Sequence, residues 1–246
     1  MRILVLCHEF PPLGGGGSRV CDGLARALVA HGHEVEMIAS GFSGLPRTHN
    51  AGRFRAVRLP TPRRRIDRGN VIELAVYVLF ALIGFLRRPP DRRAEIRHVR
   101  SIFPDGLVAW AMRKLLNVQY IITARGSDVP GYNRSRFPVL HRLLKPVWRR
   151  VVRDAECVVC ASDILAELTK KADITQNPID IPNGLDIGRF RPRPGRANAA
   201  LCVSRLFERK GVQHLLRAID DVDLRVTVHI VGDGPARARL EIQAVS

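Results

Sequence analysis

The first forty residues place an apolar strand, a glycine-rich turn, a helix and a second strand in order, and this order constrains the fold more than any other feature. The short run from Arg2 to Leu6 is apolar after its first residue, and a Pro- and Gly-rich turn follows at residues 11–17. Ser18 is placed to cap a helix with an apolar stripe, and Gly32 is placed to end it. A strand from His33 to Ala39 completes the unit. This unit is typical of the opening of a doubly wound parallel sheet.

The same alternation continues along the chain and predicts an α/β fold whose sheet is covered by helices on both faces. The predicted strands run from Phe54 to Leu59, Arg97 to Ser101, Tyr120 to Ala124 and Cys157 to Ala161. The predicted helices run from Val71 to Leu86, Leu107 to Leu116, Val139 to Arg153 and Asp163 to Lys171.

A change in composition near residue 189 divides the chain. Residues 189–198, RFRPRPGRAN, have the Pro, Gly and charge content of a linker, and the strand–helix–strand pattern restarts at Ala199. We therefore predict a first domain at residues 1–188, a linker at 189–198 and a second domain at 199–246. Because the second part offers far fewer than the roughly 150 positions that a lobe of this kind needs, we expect that domain to be incomplete.

The net charge of +17, carried mostly by arginine, favours anionic partners such as phosphates or acidic lipid surfaces. A general arginine bias spread over solvated faces explains the charge equally well. Nucleic acid is disfavoured as a partner, because aromatic residues make up 6% of the chain and no groove-reading or base-stacking motif is present.

Five cysteines form an odd number within apolar runs, which favours a reducing compartment over a disulfide framework. Cys157 and Cys160 resemble half of a metal site. They lie in a predicted strand, however, where side chains three positions apart point to opposite faces. We therefore predict no metal site.

The glycines from Gly14 to Gly17 allow a ligand to approach the backbone closely, and the amides at the start of the following helix favour an anion. A plain tight turn is the alternative. A dinucleotide site would require G-x-G-x-x-G and an acidic residue at the end of the second strand. That strand ends with Ile38, Ala39 and Ser40, so a cofactor of the NAD type is disfavoured.

Six sequence blocks occur in a fixed order with domain-sized gaps: FPPLGGGGSR, GHEVEMIAS, ITARGSDVPGYN, IPNGLDIGRFRP, VSRLFERKG and IVGDGPARARLE. Over essentially the whole chain, this series resembles glycosyltransferase family 4. The resemblance implies a GT-B fold with one complete Rossmann-like lobe and the beginning of a second. It also implies retaining, metal-independent transfer of a sugar from a nucleotide diphosphate sugar to a glycan or lipid-linked acceptor.

The resemblance assigns donor-binding roles to two groups of residues. Arg205 and Lys210 match the R-x4-K block that binds the donor diphosphate, and fixed cations stabilise the charge that develops on a leaving diphosphate. A solvated pair beside a helix start is the alternative. The loops expected to meet the nucleotide, phosphate or sugar contribute Gly15, Gly16, Gly17, Gly232, Asp233 and Gly234.

Arg125 and Asp128 lie where many members of the family have His-Gly-x-Asp. A guanidinium cannot act as a general base but can bind a phosphate or a carboxylate, so we predict a substrate contact, with a plain turn as the alternative. Because this block and the glycine turn each follow an apolar strand-like run, we expect the two loops to converge at the carboxyl edge of the sheet. The family also places two glutamates eight positions apart in the second lobe. No Glu of this chain has another Glu eight positions later, so the catalytic groups stay unassigned.

The apolar run from Val71 to Leu86 spans 16 residues, fewer than the roughly 20 needed to cross a bilayer. A buried helix is the default interpretation. We predict a cytoplasmic location for the protein. Arginines flank the run, so a helix on an anionic membrane surface is the alternative, and it would place the protein peripherally at the inner face of the membrane. These arginines are Arg63, Arg64, Arg65, Arg87, Arg88, Arg92 and Arg93.

Two functions follow from these observations. The first is a glycosyltransferase of polysaccharide or glycolipid assembly that is inactive over these 246 residues alone. The second is a truncated, non-catalytic module that binds a sugar nucleotide or a membrane.

Overall fold

The chain forms two compact units, Met1–Ile187 and Gly188–Ser246, in the computed structural model. The structure describes residues 1–87, 94–132, 138–191, 199–220 and 226–244. Most of the predicted linker, residues 192–198, therefore lies outside the described residues, as do the predicted flanking arginines Arg88, Arg92 and Arg93.

The first unit alternates strands and helices, as predicted. Its strands are β1 (Arg2–Leu6), β2 (Glu34–Ser40), β3 (Thr48–Ala51), β4 (Phe54–Leu59), β5 (Ile96–Val99), β6 (Ile121–Ala124), β7 (Cys157–Cys160) and β8 (Ile179–Asp180). Its helices are α1 (Gly16–Ala30), α2 (Val71–Arg87), α3 (Leu107–Leu116), α4 (Pro138–Arg153) and α5 (Asp163–Ala172). The predicted bounds of the shared elements agree with these to within three residues, and those of β1, β4 and α3 agree at both ends.

One sheet joins the eight strands in the order β3-β4-β2-β1-β5-β6-β7-β8. From β1 the chain builds the sheet outward through β2 and β4, and it then returns to the other side of β1 with β5. The strand order therefore reverses between β1 and β5, which are parallel neighbours with Ile3 opposite Ile96. In doubly wound sheets such a reversal opens a crevice at the carboxyl ends of the two strands, where ligands bind.

One strand that was not predicted lies at an edge of the sheet, where β3 pairs with β4 in the antiparallel direction. The four residues of β3 are exposed, and they lack the apolar alternation that reveals a strand in sequence. Gly52 and Arg53 form the two-residue connection, and Gly52 has a φ of 58°. Glycine adopts this left-handed backbone readily, which suits a short hairpin.

The predicted helix cap at Ser18 is also wrong. Helix α1 begins at Gly16 with Gly15 as its N-cap, and Ser18 lies in the first turn. Its hydroxyl donates a hydrogen bond of 2.9 Å to the carbonyl oxygen of Gly15. The glycine run lets the helix begin two residues earlier than the first capping side chain, whereas the C-terminal end at Gly32, with a φ of 83°, is as predicted.

The core covers both faces of the sheet, as parallel sheets require. On one face Ile3, Val5 and Cys7 pack in a cluster with residues of α1 and β2. On the other face Leu4 and Leu6 pack in a cluster with residues of α2, α3 and α4. Consecutive residues of β1 are therefore buried on opposite sides, and the strand holds a fixed register beneath its carboxyl end.

Helix α2 is buried along one face only. Tyr77, Ala81 and Phe85 are buried, whereas Ile72 and Leu79 on the other side are 73% and 54% exposed. Its N-terminus is closed by a reciprocal pair, in which the backbone N–H of Glu73 donates to Asn70 and the backbone N–H of Asn70 donates to Glu73. No helix in the described part of the chain is long and apolar enough to cross a membrane.

The second unit is a small parallel pair of strands with two helices. Strands β9 (Ala199–Val203) and β10 (Thr227–Val231) pair in parallel, and α6 (Val212–Asp220) and α7 (Arg237–Gln243) follow them. The helices share a small apolar cluster of Leu206, Val212, Leu216 and Leu240. The sequence predicts these elements over Ala199 to Val203, Val212 to Ile219 and Leu224 to Val231, and residues 224 and 225 of the last strand lie outside the described residues.

Candidate functional site

The glycine turn that follows β1 is a tightly held loop at the carboxyl edge of the sheet. Gly14 has a φ of 86°, and its amide donates a 2.7 Å hydrogen bond to the carbonyl oxygen of Ile66. Helix α1 begins directly afterwards with Gly16, so the first backbone N–H groups of the helix lie at this edge. These N–H groups have no acceptor within the helix and carry its positive dipole end.

Arg125 follows β6 and reaches the same loop. A Cβ atom added to Gly17 would overlap the guanidinium of Arg125, and Nη1 of Arg125 lies 3.9 Å from Sγ of Cys7. The predicted convergence of the glycine turn and the Arg125 block at one edge of the sheet is therefore confirmed. Burial lowers the pKa of Arg125, but the charges of Cys7, Cys21, Asp128 and Glu9 outweigh burial and raise it above its ordinary value.

Asp128 braces the Arg125 loop from within. Its Oδ1 accepts a 3.0 Å hydrogen bond from the backbone N–H of Arg125, and its Oδ2 accepts one of 2.8 Å from the backbone N–H of Ile102. The side chain is buried, and the indole of Trp148 donates to its carbonyl oxygen at 2.9 Å. Asp128 therefore joins the loops after β5 and β6, and it presents little free surface to a ligand.

The second unit holds the other predicted site residues. The glycine turn at Gly232 and Gly234 lies directly against the Ser204–Leu206 backbone, because a Cβ atom on either glycine would overlap a carbonyl oxygen there. The backbone N–H of Leu206 also donates to the carbonyl oxygen of Asp233 at 2.9 Å. These contacts bring Arg205 and the predicted nucleotide turn together within this unit.

The side chains on this surface are open to solvent. Arg205 and Lys210 are exposed, and the Asp233 side chain is 83% exposed. The guanidinium carbon of Arg205 lies 5.4 Å from the centroid of the Phe207 ring, which orients it without neutralising it.

A buried polar cluster around His8 was missed in the sequence. Oδ2 of Asp105 lies 2.8 Å from Nδ1 of His8, and the backbone N–H of His8 donates to Oδ1 of Asp105 at 2.8 Å. The hydroxyl groups of Tyr77 and Ser101 donate to the same carboxylate at 2.8 and 2.7 Å. His8 follows β1 and Asp105 follows β5, so their positions just after two apolar strands were the available signal.

The cluster changes the proton affinity of its members. Burial lowers the pKa of His8, but the charge and hydrogen bond of Asp105 outweigh burial and raise it above its ordinary value of 6.5. Burial raises the pKa of Asp105, but the charge of His8 and the hydrogen bonds from His8, Ser101 and Tyr77 lower it below its ordinary value. The pair is therefore an imidazolium and a carboxylate between the ordinary pKa of Asp, 3.8, and that of His, 6.5.

Glu9 and Arg63 form a second pair beside the glycine turn. Nη2 of Arg63 lies 3.2 Å from Oε1 of Glu9, and the Arg63 side chain is 1% exposed. The Glu9 carboxylate in turn fills the space next to Gly14. Arg63 was predicted as one of the arginines facing a membrane, and that assignment is wrong because this ion pair buries it in the loop structure.

A metal site is not formed by the two cysteines of β7. Cys160 is buried and Cys157 is half-buried, in a strand whose burial alternates residue by residue. Their side chains therefore lie on opposite faces of the sheet. In the described part of the chain, no cluster of three His, Cys, Asp or Glu side chains is suited to hold a metal ion.

Solved structures share this fold. Sucrose-phosphate synthase from Thermosynechococcus elongatus superposes with a TM-score of 0.78 at 20% identity, over 100% of this chain and 67% of that one. The catalytic domain of starch synthase IV from Arabidopsis thaliana superposes with a TM-score of 0.71 at 15% identity, over 100% of this chain and 71% of that one. The architecture is that of the GT-B glycosyltransferases.

Residues 14–189 match the model of Glycosyltransferase Family 4, and the chain belongs to this family. The GDP-mannose-dependent alpha-(1-6)-phosphatidylinositol monomannoside mannosyltransferase of Mycobacterium tuberculosis strain H37Rv is 26% identical, over 95% of this chain and 61% of that protein. The alpha-monoglucosyldiacylglycerol synthase of Streptococcus pneumoniae is 25% identical, over 67% of this chain and 43% of that protein. The chain spans 40% to 63% of the length of the curated relatives it matches.

Proposed function

We propose that this chain serves the transfer of a sugar from a nucleotide diphosphate sugar to a hydroxyl group of a glycan or lipid-linked acceptor. The observation that carries the proposal is the contact between Arg125 and Gly17. It combines a guanidinium with the free amides at the start of α1, and both favour an anionic or strongly polar ligand at the carboxyl edge of the sheet. Membership of Glycosyltransferase Family 4 supplies the class of reaction.

The donor diphosphate is assigned to Arg205 and Lys210 of the second unit. Both side chains are exposed, and neither forms an ion pair with a carboxylate among the described residues. Gly232 and Gly234 lack side chains, which lets their turn pack against the Ser204–Leu206 backbone and so lie beside Arg205. Fixed cations at this place would stabilise the negative charge that develops on the diphosphate as the sugar leaves.

The acceptor is assigned to the first unit and is taken to be a lipid-linked or polymeric glycan. This assignment follows the names of the relatives, which include a phosphatidylinositol monomannoside mannosyltransferase and a monoglucosyldiacylglycerol synthase. It also agrees with the half-buried apolar helix α2. Ile72, Leu79 and Leu86 lie seven positions apart and are 73%, 54% and 62% exposed, so they form one apolar stripe on the surface.

Exposed arginines stand at both ends of that stripe. Arg64 and Arg68 precede α2, and Arg87 ends it. An apolar stripe bordered by cations suits the surface of an anionic membrane. The five cysteines are free, which suits a reducing compartment, so we place this contact at the inner, cytoplasmic face of the membrane.

A second candidate is a module that binds the sugar nucleotide without turnover. The observation in its favour is that no Glu in these 246 residues has another Glu eight positions later, so the pair expected from the family is not supplied here. Both candidates require donor binding, and they differ in whether sugar is transferred.

The test of the shared claim is calorimetric titration of the chain with GDP-mannose, UDP-glucose and the corresponding nucleoside monophosphates. We expect saturable binding of at least one nucleotide sugar, and weaker binding of its monophosphate because one phosphate of the diphosphate is then lost. Equal affinity for monophosphate and nucleotide sugar, or no binding of any of them, would contradict the proposal.

A further inference from the structure

A hydrogen bond between His8 and Asp105 joins the loops after β1 and β5, the two strands between which the strand order reverses. His8 lies two residues beyond β1, and Asp105 lies in the turn beyond β5. Their contact of 2.8 Å therefore lies at the crevice in which doubly wound sheets bind their ligands.

The imidazole is held in one orientation. The carboxylate of Asp105 is entirely buried and accepts hydrogen bonds from the backbone N–H and from Nδ1 of His8. Rotation of the ring would therefore break a charge-assisted hydrogen bond. The hydroxyl groups of Tyr77 and Ser101 donate hydrogen bonds to the same carboxylate, and these bonds fix its orientation. A carboxylate on Nδ1 fixes the state of the ring and directs Nε2 away from itself.

Nε2 is the free end of this arrangement. It makes no hydrogen bond to any residue of the described chain. It is also not one of the fully buried side-chain atoms left without a partner, so part of its surface is accessible. The His8 side chain is 12% exposed, so Nε2 reaches solvent at the carboxyl edge. A nitrogen that is oriented by a buried carboxylate, and left open on its other side, is arranged to contact a ligand.

The groups around His8 favour a hydroxyl group as that ligand. As an imidazolium, His8 offers an N–H donor at Nε2, and a hydroxyl group of a sugar can accept a hydrogen bond from it. The charge of the imidazolium is already balanced by Asp105, which reduces its preference for an anion.

We propose that His8 contacts a hydroxyl group of the sugar-bearing acceptor through Nε2 and that Asp105 positions it. The proposal rests on the proposed function, because it takes the ligand of the first unit to be the acceptor. It supplies an ordered imidazole near the edge where Arg125 replaces the histidine of the family pattern. No bond of the substrate is formed or broken by this contact.

The test is a nuclear magnetic resonance titration of the 246-residue chain with labelled histidine. The probes are methyl α-D-mannopyranoside, methyl α-D-glucopyranoside and inorganic phosphate. We expect at least one methyl hexoside to shift the ring signal of His8 saturably and to leave the exposed His49 unchanged. Replacement His8→Gln should weaken hexoside binding about tenfold, measured on the amide signals of Gly16 and Gly17, as expected for one charge-assisted hydrogen bond. His49→Gln should not weaken it.

A second variant tests the role of Asp105. Asp105→Asn should lower the pKa read from the His8 ring signal, which tests the ion pair, and should weaken hexoside binding as well. A variant in which that pKa falls but the hexoside binds as tightly as in the wild type would show that Asp105 does not position His8 for the ligand. No shift with either hexoside, or a shift with phosphate alone, would overturn the proposal.

The donor provides an independent readout. If a nucleotide sugar still shifts the amide signals of Gly232 and Gly234 while no hexoside reaches His8, the acceptor contact is wrong and the proposed function stands. If neither is seen, the proposed function itself is wrong.

Discussion

The guanidinium of Arg125 occupies the space that a side chain on Gly17 would need. This relationship joins the loop after β1 to the loop after β6 across the end of β5, and a side chain on Gly17 would have to displace the guanidinium. It also places a fixed cation beside the first amides of that helix, which is the basis of the proposed ligand site.

Replacing Gly17 by alanine should therefore disrupt the site, whereas the same change at Gly16 should not. A Cβ atom on Gly17 meets Arg125, but one on Gly16 has no atom within 4 Å. We expect Gly17→Ala to lower the free energy of unfolding by about 1 kcal/mol, the lower end of the cost of overpacking, because the guanidinium it displaces is the movable end of the Arg125 side chain. Gly16→Ala should be neutral or slightly stabilising, because alanine favours a helix. Urea unfolding of both variants measures the difference, and equal effects would contradict the contact.

The His8–Asp105 pair should make stability depend on pH in two windows. The pKa of His8 is higher in the folded protein than its value of 6.5 in the unfolded chain. The stabilisation from charged His8 is therefore complete below pH 6.5 and is lost as the pH rises through the folded pKa. The pKa of Asp105 is lower in the folded protein than its value of 3.8 in the unfolded chain. The stabilisation from ionised Asp105 is therefore complete above pH 3.8 and is lost as the pH falls through the folded pKa.

Asp105→Asn removes the charge and should abolish the upper window, at a cost of about 1.5–3 kcal/mol near pH 6. Unfolding free energies measured from pH 5 to 9 decide this. A wild-type profile that stays flat above pH 6.5, or one that matches the variant, would rule out the charged pair.

The strand and helix pattern predicted most of the first unit, because β1, β2, β4 and the later strands are apolar runs between recognisable helices. Strand β3 could not be predicted in this way. Its residues are exposed, so only pairing with β4 through the turn at Gly52 makes it a strand.

The candidate site was predicted in part. Gly17 and Arg125 follow apolar runs and were expected at one edge, and the structure brings them together. His8 and Asp105 are 97 residues apart in sequence. Their contact depends on the order of strands in the sheet, which local periodicity does not specify. The buried role of Arg63 was missed for the same reason, since its partner Glu9 belongs to a different loop.

The apolar stripe of α2 should carry membrane binding. We expect the chain to float with vesicles that contain acidic lipid at low salt, and to float less as salt rises, because exposed arginines near an acidic surface contribute about 1 kcal/mol each and are screened. The triple variant Ile72→Ser, Leu79→Ser, Leu86→Ser should lose most of this binding. A matched triple variant at other exposed apolar residues, Ile164→Ser, Leu185→Ser and Ile187→Ser, should keep it. Equal loss in both variants, or equal flotation with neutral vesicles, would refute the role of α2.

Residues 1–246 made alone should transfer no measurable sugar, although they bind the donor weakly. The described second unit has a two-stranded sheet, and the Glu pair of the family is not supplied. Misplacement of reacting groups by about 1 Å can cost 10²-fold in rate. An assay of sugar transfer and donor hydrolysis with GDP-mannose and UDP-glucose checks this expectation. Turnover comparable to that of an intact relative would mean that other residues replace the glutamates.

The most direct measurement of the central claim is the donor affinity of variants at the proposed diphosphate site. Arg205→Ala and Lys210→Ala should each weaken binding of the preferred nucleotide sugar about tenfold or more in calorimetric titration, because each removes a charge-assisted contact to phosphate. Arg217→Ala, which removes an exposed arginine of α6, should leave the affinity unchanged. If all three variants bind the nucleotide sugar as tightly as the wild type, Arg205 and Lys210 do not hold the diphosphate and the account is contradicted.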